Sequence, residues 1–311
     1  MRCALVSKSL DLRDYFGAEF ARIADRIEIV DHRASGADAD VRLAVAWHPP
    51  DDAFARYPNL RAVCSIGAGV DNIVRCPSLR PGIDVVRVVD RAQAQMMSGF
   101  VAWHVIGHQR RFAAYLEQQR EGLWRRLSQR PAQSVPVGIL GYGEIGQKVA
   151  ADLAMLGFPV MVWSRSAKPT SPSIRGFHGP SGLAAMLGET EVLVNLLPLT
   201  DETRGILNRT LFGRMRRGGY LIQVGRGEHL VEADLLGALA TDQLAGAALD
   251  VFAMEPLPAS HPFWRHPKVV VTPHDACEVR LEAVAETLLA TADAIKAGRR
   301  PPSAIDRERG Y

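Results

Sequence analysis

A glycine-rich stretch, GILGYGEIGQKVA (138–150), places Gly141, Gly143 and Gly146 as G-x-G-x-x-G. A buried-strand pattern, VPVGIL, precedes it and an amphipathic helical pattern follows. In that setting the first glycine permits a tight turn, the second lets backbone approach a pyrophosphate, and the third lets helix and strand pack closely. Unpaired N–H groups at the helix start then receive the phosphates, so Tyr142, Glu144 and Ile145 join the glycines as candidate cofactor contacts. A glycine turn without a ligand is the competing reading, and the flanking strand and helix weigh against it. The next strand pattern, PVMVW, ends at Trp163. A site selective for NAD would place Asp or Glu there, accepting the ribose hydroxyls and repelling a 2′-phosphate. This chain instead has Ser164, Arg165 and Ser166, with Lys168 close behind. A guanidinium fork suits phosphate and both hydroxyls can donate. These residues predict NADP(H) in preference to NAD(H), against the alternative of an arginine solvated in a loop.

A second constellation is spread over three places. LIQVGRGEHL puts Arg226 directly after a strand pattern, between Gly225 and Gly227. GAALDVFAMEPLP puts Asp250 at a strand end and Glu255 before a proline, and KVVVTPHDA puts His274 after a strand and a Thr-Pro pair. Parallel strands bring all of these to one carboxyl edge, where open α/β sheets bind ligands. Singly, each has a structural explanation, such as a solvated turn or a packed imidazole. Their succession after a dinucleotide loop points to one site.

The elements that must position them are legible as alternation. CALVS, IEIVD, RLAVAW, RAVCSI and VVRVV read as strands before residue 90, with helical stretches such as LRDYFGAEFARIA between some of them. A long helical stretch, 96–124, reads as the passage between lobes. Six further strand patterns follow (VPVGIL, PVMVWS, EVLVNLL, GGYLIQV, AGAALDVF and KVVVTP), and the helical pattern EVRLEAVAETLLATADAIKAG closes the chain before a polar tail. This is the pattern of parallel sheets covered on both faces. The 311 residues allow two domains, and 47% hydrophobic with 23% charged residues is a globular composition. A net charge of +3 without a basic stripe argues against nucleic acid. No apolar run reaches membrane-span or signal-peptide form. Cys3, Cys64, Cys76 and Cys277 have no zinc or C-x-x-C spacing. The expectation is a cytoplasmic protein with free thiols and no metal.

The motifs GAGVDN (67–72), GILGYGEIG (138–146), NLLPLTDETRGILN (195–208), VGRGEHLVEADLLGAL (224–239), LDVFAMEPLP (249–258) and TPH (272–274) resemble, in that order, the D-2-hydroxyacid dehydrogenase family over essentially the whole chain. WHPP (47–50), SIGAGVDNI (65–73), WSRS (163–166) and DRERGY (306–311) are most similar to its short bacterial glyoxylate/hydroxypyruvate reductases of the reductase A type. The resemblance implies two Rossmann-like, doubly wound α/β domains. Residues 1–98 and 285–311 would form a discontinuous substrate-binding domain, with an NADP-binding domain, 99–284, inserted into it. Strand counting alone would put a boundary near 125; the family puts the long helix in the cofactor lobe and at a homodimer interface.

The implied reaction is reduction of a small 2-oxo acid, glyoxylate to glycolate or hydroxypyruvate to D-glycerate, by NADPH. The family's catalytic set falls on Arg226, Glu255 and His274. The imidazole would give the proton, Glu255 would orient it, and Arg226 would bind the substrate carboxylate. Trp47, Ala68 and Gly69 are implied beside the substrate, Leu197 and Pro198 on the adenosine side, and Val224, Gly225 and Asp250 near the nicotinamide, where Asp250 would accept from its carboxamide. Three positions depart from the family pattern. Asp275 puts a carboxylate after the histidine, where it either faces the site or solvent, Gln223 replaces a usual Asn, and Gly99 stands inside a helix where Glu is common. A helical glycine costs about 1 kcal/mol against Ala, which close packing or cofactor approach would explain. These departures bear on the substrate rather than the reaction class. A larger 2-oxo acid is the alternative substrate, and a non-catalytic dinucleotide sensor is the alternative of another class.

Overall fold

The computed structural model describes residues 1–31 and 38–307, so Glu308–Tyr311 of the C-terminal DRERGY piece lie outside it. The chain forms two compact units, Met1–Ala92 with Glu278–Tyr311, and Gln93–Cys277. The expected lines at 98/99 and 284/285 fall a few residues further along.

The first unit holds five parallel strands: β1 (Arg2–Ser7), β2 (Glu28–Asp31), β3 (Val41–Trp47), β4 (Ala62–Ser65) and β5 (Asp84–Val86). Their order is β2-β1-β3-β4-β5. Leu43, Val45 and Cys64 on one face pack with Phe16, Phe20 and Leu288, the last from the closing helix Leu281–Lys296. Ala44, Ala46 and Val63 on the other pack with Phe54 and Tyr57. Strands buried on both faces need largely apolar runs, as in β1, β3 and β4, whereas the edge strand β2 has its Glu28 and Asp31 exposed.

The second unit holds seven: β6 (Val137–Leu140), β7 (Val160–Ser164), β8 (Ile174–His178), β9 (Val192–Asn195), β10 (Gly219–Gln223), β11 (Leu244–Leu249) and β12 (Val269–Val271). They run β12-β11-β10-β9-β6-β7-β8, all parallel. The order reverses between β6 and β9, so the loops after these two strands flank the crevice where doubly wound sheets take ligands. The sequence reading missed β8, whose IRGFH carries an arginine and a glycine and lies at the sheet edge, mostly exposed. An edge strand needs no buried apolar run, so it leaves little pattern to read.

The stretch 96–124 is not one helix. Arg91–Gln109 and Phe112–Arg120 are separate, parted where Arg111 takes the left-handed conformation (φ 59°). No glycine or proline announces that break. The second helix ends conventionally, with Gly122 at φ 65° and the Leu123 N–H returning to the Gln118 carbonyl at 2.8 Å. Gly99 lies exposed in the first helix, and a Cβ there would meet nothing within 4 Å. Close packing against the protein therefore does not explain it.

At the amino edge of this sheet Glu191, 7% exposed, accepts from Arg130 Nη1 and Nη2 at 2.7 Å each and pairs with His108 Nε2 at 2.9 Å. Burial raises the pKa of Glu191, but the His108 and Arg130 contacts outweigh it and bring the group from 4.5 to about 2. The folded value lies below the unfolded one, so the stabilisation is complete above pH 4.5 and is lost as pH falls toward 2. It amounts to on the order of 3 kcal/mol. In urea titrations the stability advantage of the natural protein over Glu191→Gln is therefore expected to shrink across that window. An advantage independent of pH would contradict the assignment.

Candidate active site

In the second unit the carboxyl edge brings two of the expected residues, His274 and Glu255, into a hydrogen-bonded pair. His274 Nδ1 lies 2.8 Å from Glu255 Oε2, while Glu255 Oε1 accepts from the Phe252 N–H at 2.9 Å. Burial raises the Glu255 pKa, yet the His274 bond, the Phe252 N–H and the charges of His274 and Arg226 together hold it below its ordinary value. The carboxylate is therefore ionised at neutral pH, Nδ1–H donates to it, and Nε2 is the ring atom left to exchange a proton. Each side chain is a little over a third exposed, His274 at 37% and Glu255 at 36%.

Arg226 follows β10, with its Nη1 on the Gly225 carbonyl at 2.8 Å. Gly227 sets its place: a Cβ there would stand 1.8 Å from the Phe252 carbonyl carbon. Only glycine lets this turn press against the Phe252–Ala253 backbone, which brings Arg226 within electrostatic reach of Glu255.

His274 itself sits at φ 58°, a conformation a residue other than glycine holds only when its surroundings impose it. Asp250, 2% exposed, supplies that constraint. Its carbonyl accepts the His274 N–H at 2.8 Å. Its carboxylate accepts from Thr272 Oγ1 at 2.6 Å, the Asp275 N–H at 2.8 Å and the Ala276 N–H at 3.1 Å. The expectation gave Asp250 to the nicotinamide; the bonds within the chain spend it first on the histidine loop, leaving about one of its four lone-pair positions. Asp275 is exposed.

The glycine loop fits a dinucleotide. Gly141 takes φ 101°, and a Cβ at Gly146 would lie 2.1 Å from the Gly141 carbonyl oxygen, so helix and strand touch there. At Gly143 a Cβ would meet no protein atom within 4 Å. Nothing in the chain demands glycine at that position; it leaves room for a group from outside. Gly143 caps the helix Glu144–Met155, whose first N–H groups, from Glu144 and Ile145, precede its first backbone bond, Gln147 to Gly143.

After β7 the three expected phosphate contacts separate. Ser164 is buried and its hydroxyl donates to the Ser166 carbonyl at 2.9 Å, so it shapes the turn. Ser166 and Arg165 are exposed, Arg165 lying 3.5 Å from Glu202 in a solvated pair. Lys168 Nζ donates to the Tyr142 carbonyl at 2.9 Å and so bridges this turn to the glycine loop. A cleft of about 240 Å³ beside it is lined by Tyr142, Ser164, Lys168, Thr170, Phe177 and His178. Across the crevice Leu197 and Val224 are buried, and Pro198 is half-buried.

In the first unit, Trp47 ends β3 and packs edge-on against His48, with ring centroids 4.8 Å apart. Ala68 and Gly69 follow β4, the neighbouring strand. Ser65, fully buried, braces their loop by donating to the Gly69 carbonyl at 2.7 Å and accepting from the Gly67 N–H at 3.2 Å.

Sequence reasoning passed over Asn195, His229 and Thr272. The first two are fully buried polar groups, and Thr272 was noted only as part of a Thr-Pro pair. A threonine or asparagine at a strand end carries no pattern distinguishing it from a turn residue. The RGEH spacing was the one available sign of His229.

The family described as D-isomer specific 2-hydroxyacid dehydrogenase, NAD binding domain, matches residues 102–276. Glyoxylate/hydroxypyruvate reductase A of Serratia proteamaculans is 41% identical over 308 residues, 96% of this chain and 97% of that protein. A crystal structure of a D-isomer specific 2-hydroxyacid dehydrogenase from Xanthobacter autotrophicus, in complex with NADPH and MES, superposes with a TM-score of 0.93 at 35% identity, covering 100% of this chain and 99% of the other. The NADPH-dependent glyoxylate/hydroxypyruvate reductase of Sinorhizobium meliloti, in complex with NADP and sulfate, superposes at 0.92 with 36% identity and the same coverage. Among the described residues no helix is long and apolar enough to cross a membrane.

Proposed function

The chain belongs to the D-isomer specific 2-hydroxyacid dehydrogenases, and from that membership we propose that it reduces small 2-oxo acids, glyoxylate and hydroxypyruvate first, using NADPH. The observation that carries this reading is the His274–Glu255 pair beside Arg226 on the same sheet edge as the glycine loop. A dinucleotide sensor has no need of an imidazole braced by an ionised carboxylate.

When bound, the nicotinamide supplies the hydride. His274 Nε2 delivers the proton to the carbonyl oxygen, and the Glu255 carboxylate keeps the ring oriented and offsets its charge. Arg226 binds the substrate carboxylate and polarises the carbonyl. The Ala68 and Gly69 N–H groups and Trp47, in the first unit, are assigned to substrate binding. The NADP-binding role goes to the unit Gln93–Cys277, with Gly143, Glu144 and Ile145 at the pyrophosphate, Leu197 and Pro198 beside the adenosine, and Gly225, Val224 and the remaining Asp250 lone pair toward the nicotinamide. The first unit takes the substrate-binding role.

NADPH preference rests on Arg165, supported by Ser166 and Lys168. Arg165→Ala is expected to lower kcat/KM for NADPH about tenfold, the worth of one charge-assisted contact, while NADH is little affected. Equal kcat/KM for both cofactors in the natural protein, with no loss for NADPH in the variant, would remove the assignment. The functional reading is tested by a panel of 2-oxo acids of increasing side-chain size run with both cofactors. Tight NADPH binding with no turnover of any of them would favour the sensor.

We further assign a cytoplasmic homodimer. Trp103 (60% exposed), Leu116 (52%) and Trp124 (99%) present apolar surface from the helices Arg91–Gln109 and Phe112–Arg120 and the segment after them, more than isolated surface residues explain. Sedimentation is expected to return twice the chain mass, and Trp124→Glu to lower it; a monomer in the natural protein would reject the assignment.

A further inference from the structure

Three uncharged polar side chains lie fully buried beneath the crevice: Asn195 at the end of β9, Gln223 at the end of β10, and His229, which closes the turn Gly227–His229. Asn195 and Gln223 are register partners on adjacent strands. Asn195 Nδ2 donates to Gln223 Oε1 at 2.7 Å and lies 2.9 Å from His229 Nδ1. Gln223 Nε2 donates to the Arg226 carbonyl at 2.8 Å, and the Arg226 N–H donates to His229 Nδ1 at 3.1 Å. Two donors thus face Nδ1, so it carries no proton. The ring proton sits on Nε2 and goes to the Pro198 carbonyl at 3.2 Å. Asn195 Oδ1 accepts from the Leu197 N–H at 3.3 Å.

One neutral imidazole therefore holds two loops at once. Its Nδ1 fixes the backbone of Arg226, and its Nε2 fixes the loop after β9. Gly225 makes room for the arrangement: a Cβ there would stand 2.9 Å from Asn195 Nδ2 and 3.0 Å from His229 Nδ1. All three side chains are fully buried, and burying three polar side chains is favourable only if all are paired.

We propose that His229, supported by Asn195 and Gln223, is a positioning residue serving both halves of the site, with Nδ1 setting Arg226 for the substrate carboxylate and Nε2 setting the Pro198 loop for the cofactor. The proposal rests on the functional reading above, and its two halves are separable. The amide oxygen of Asn reproduces Nδ1, so His229→Asn keeps the Arg226 contact and loses the Pro198 one. The amide nitrogen of Gln reproduces Nε2, so His229→Gln does the reverse.

The measurements are the NADPH dissociation constant by fluorescence, the dissociation constant of oxamate (an unreactive 2-oxo acid analogue) from the NADPH-saturated protein, and KM for glyoxylate. His229→Asn is expected to weaken NADPH roughly tenfold and leave oxamate nearly unchanged; His229→Gln is expected to weaken oxamate and raise KM by the same factor and leave NADPH nearly unchanged. A merely structural role would lower thermal stability in both without this split. Parallel changes in the two constants, or no change in either variant, overturn the proposal. Should both variants fail to fold, Gln223→Met carries the test. It removes the bond to the Arg226 carbonyl, the 2.7 Å bond from Asn195 Nδ2 and the long 3.3 Å bond from the Gly225 N–H, and leaves His229 Nε2 on the Pro198 carbonyl. Oxamate should then weaken without NADPH, and any other outcome overturns the proposal. A natural protein that neither binds oxamate nor reduces glyoxylate overturns the functional reading and this proposal together. One that does both, with variants that fail to split, overturns this proposal alone.

Discussion

Replacing His274 with Gln is expected to lower kcat for glyoxylate reduction roughly 10³-fold, the scale of a lost general acid, with the NADPH dissociation constant almost unchanged. The side chain is of similar length but cannot deliver a proton. A second variant separates chemistry from backbone strain, because His274 sits at φ 58°. Asn tolerates that conformation better than Gln, so His274→Asn should fold at least as well and be equally inactive. The loop should survive both changes, since Asp250 grips it through Thr272 and the N–H groups of Asp275 and Ala276, none of which involves the imidazole. Turnover retained in either folded variant would reject His274 as the proton donor.

The second large effect is on Arg226. Arg226→Ala is expected to raise KM for glyoxylate about a hundredfold, the upper range for removing a charge-assisted, bidentate partner of a carboxylate, and to slow turnover as well. It also withdraws one of the charges holding the Glu255 pKa down, although the His274 bond remains. Arg226→Lys keeps the charge without the planar fork and should recover only part of the loss. An unchanged KM for glyoxylate in the alanine variant would show that the carboxylate binds elsewhere.

The parts of this site legible in the sequence were those where one residue type has one physical use. Gly141 and Gly146 are of this kind, because their backbone conformation or contact admits no side chain. The apolar strands buried on both faces are another, since burial demands their composition. Asp250 was found as a cofactor contact, and the fold adds a structural task the sequence did not show, because three donors from the Thr272–Ala276 loop converge on it. Ser164 was likewise found and then buried in its own turn. The break at Arg111 and the edge strand β8 were not legible: one is a left-handed residue without a glycine, and the other has too little buried surface to require a pattern.

By itself the sequence determined the alternation of all strands but β8 with helical stretches, the dinucleotide loop and the residues able to do acid–base and carboxylate chemistry. Those follow from local backbone sterics and from periodic burial, which act between near neighbours in the chain. The tertiary structure alone decided how Glu255 and His274, nineteen positions apart, become a 2.8 Å pair, and how His229 comes to join Arg226 to Pro198. Hydrogen bonds between such positions depend on strand order and on a close approach at Gly227, and distance along the chain does not encode them.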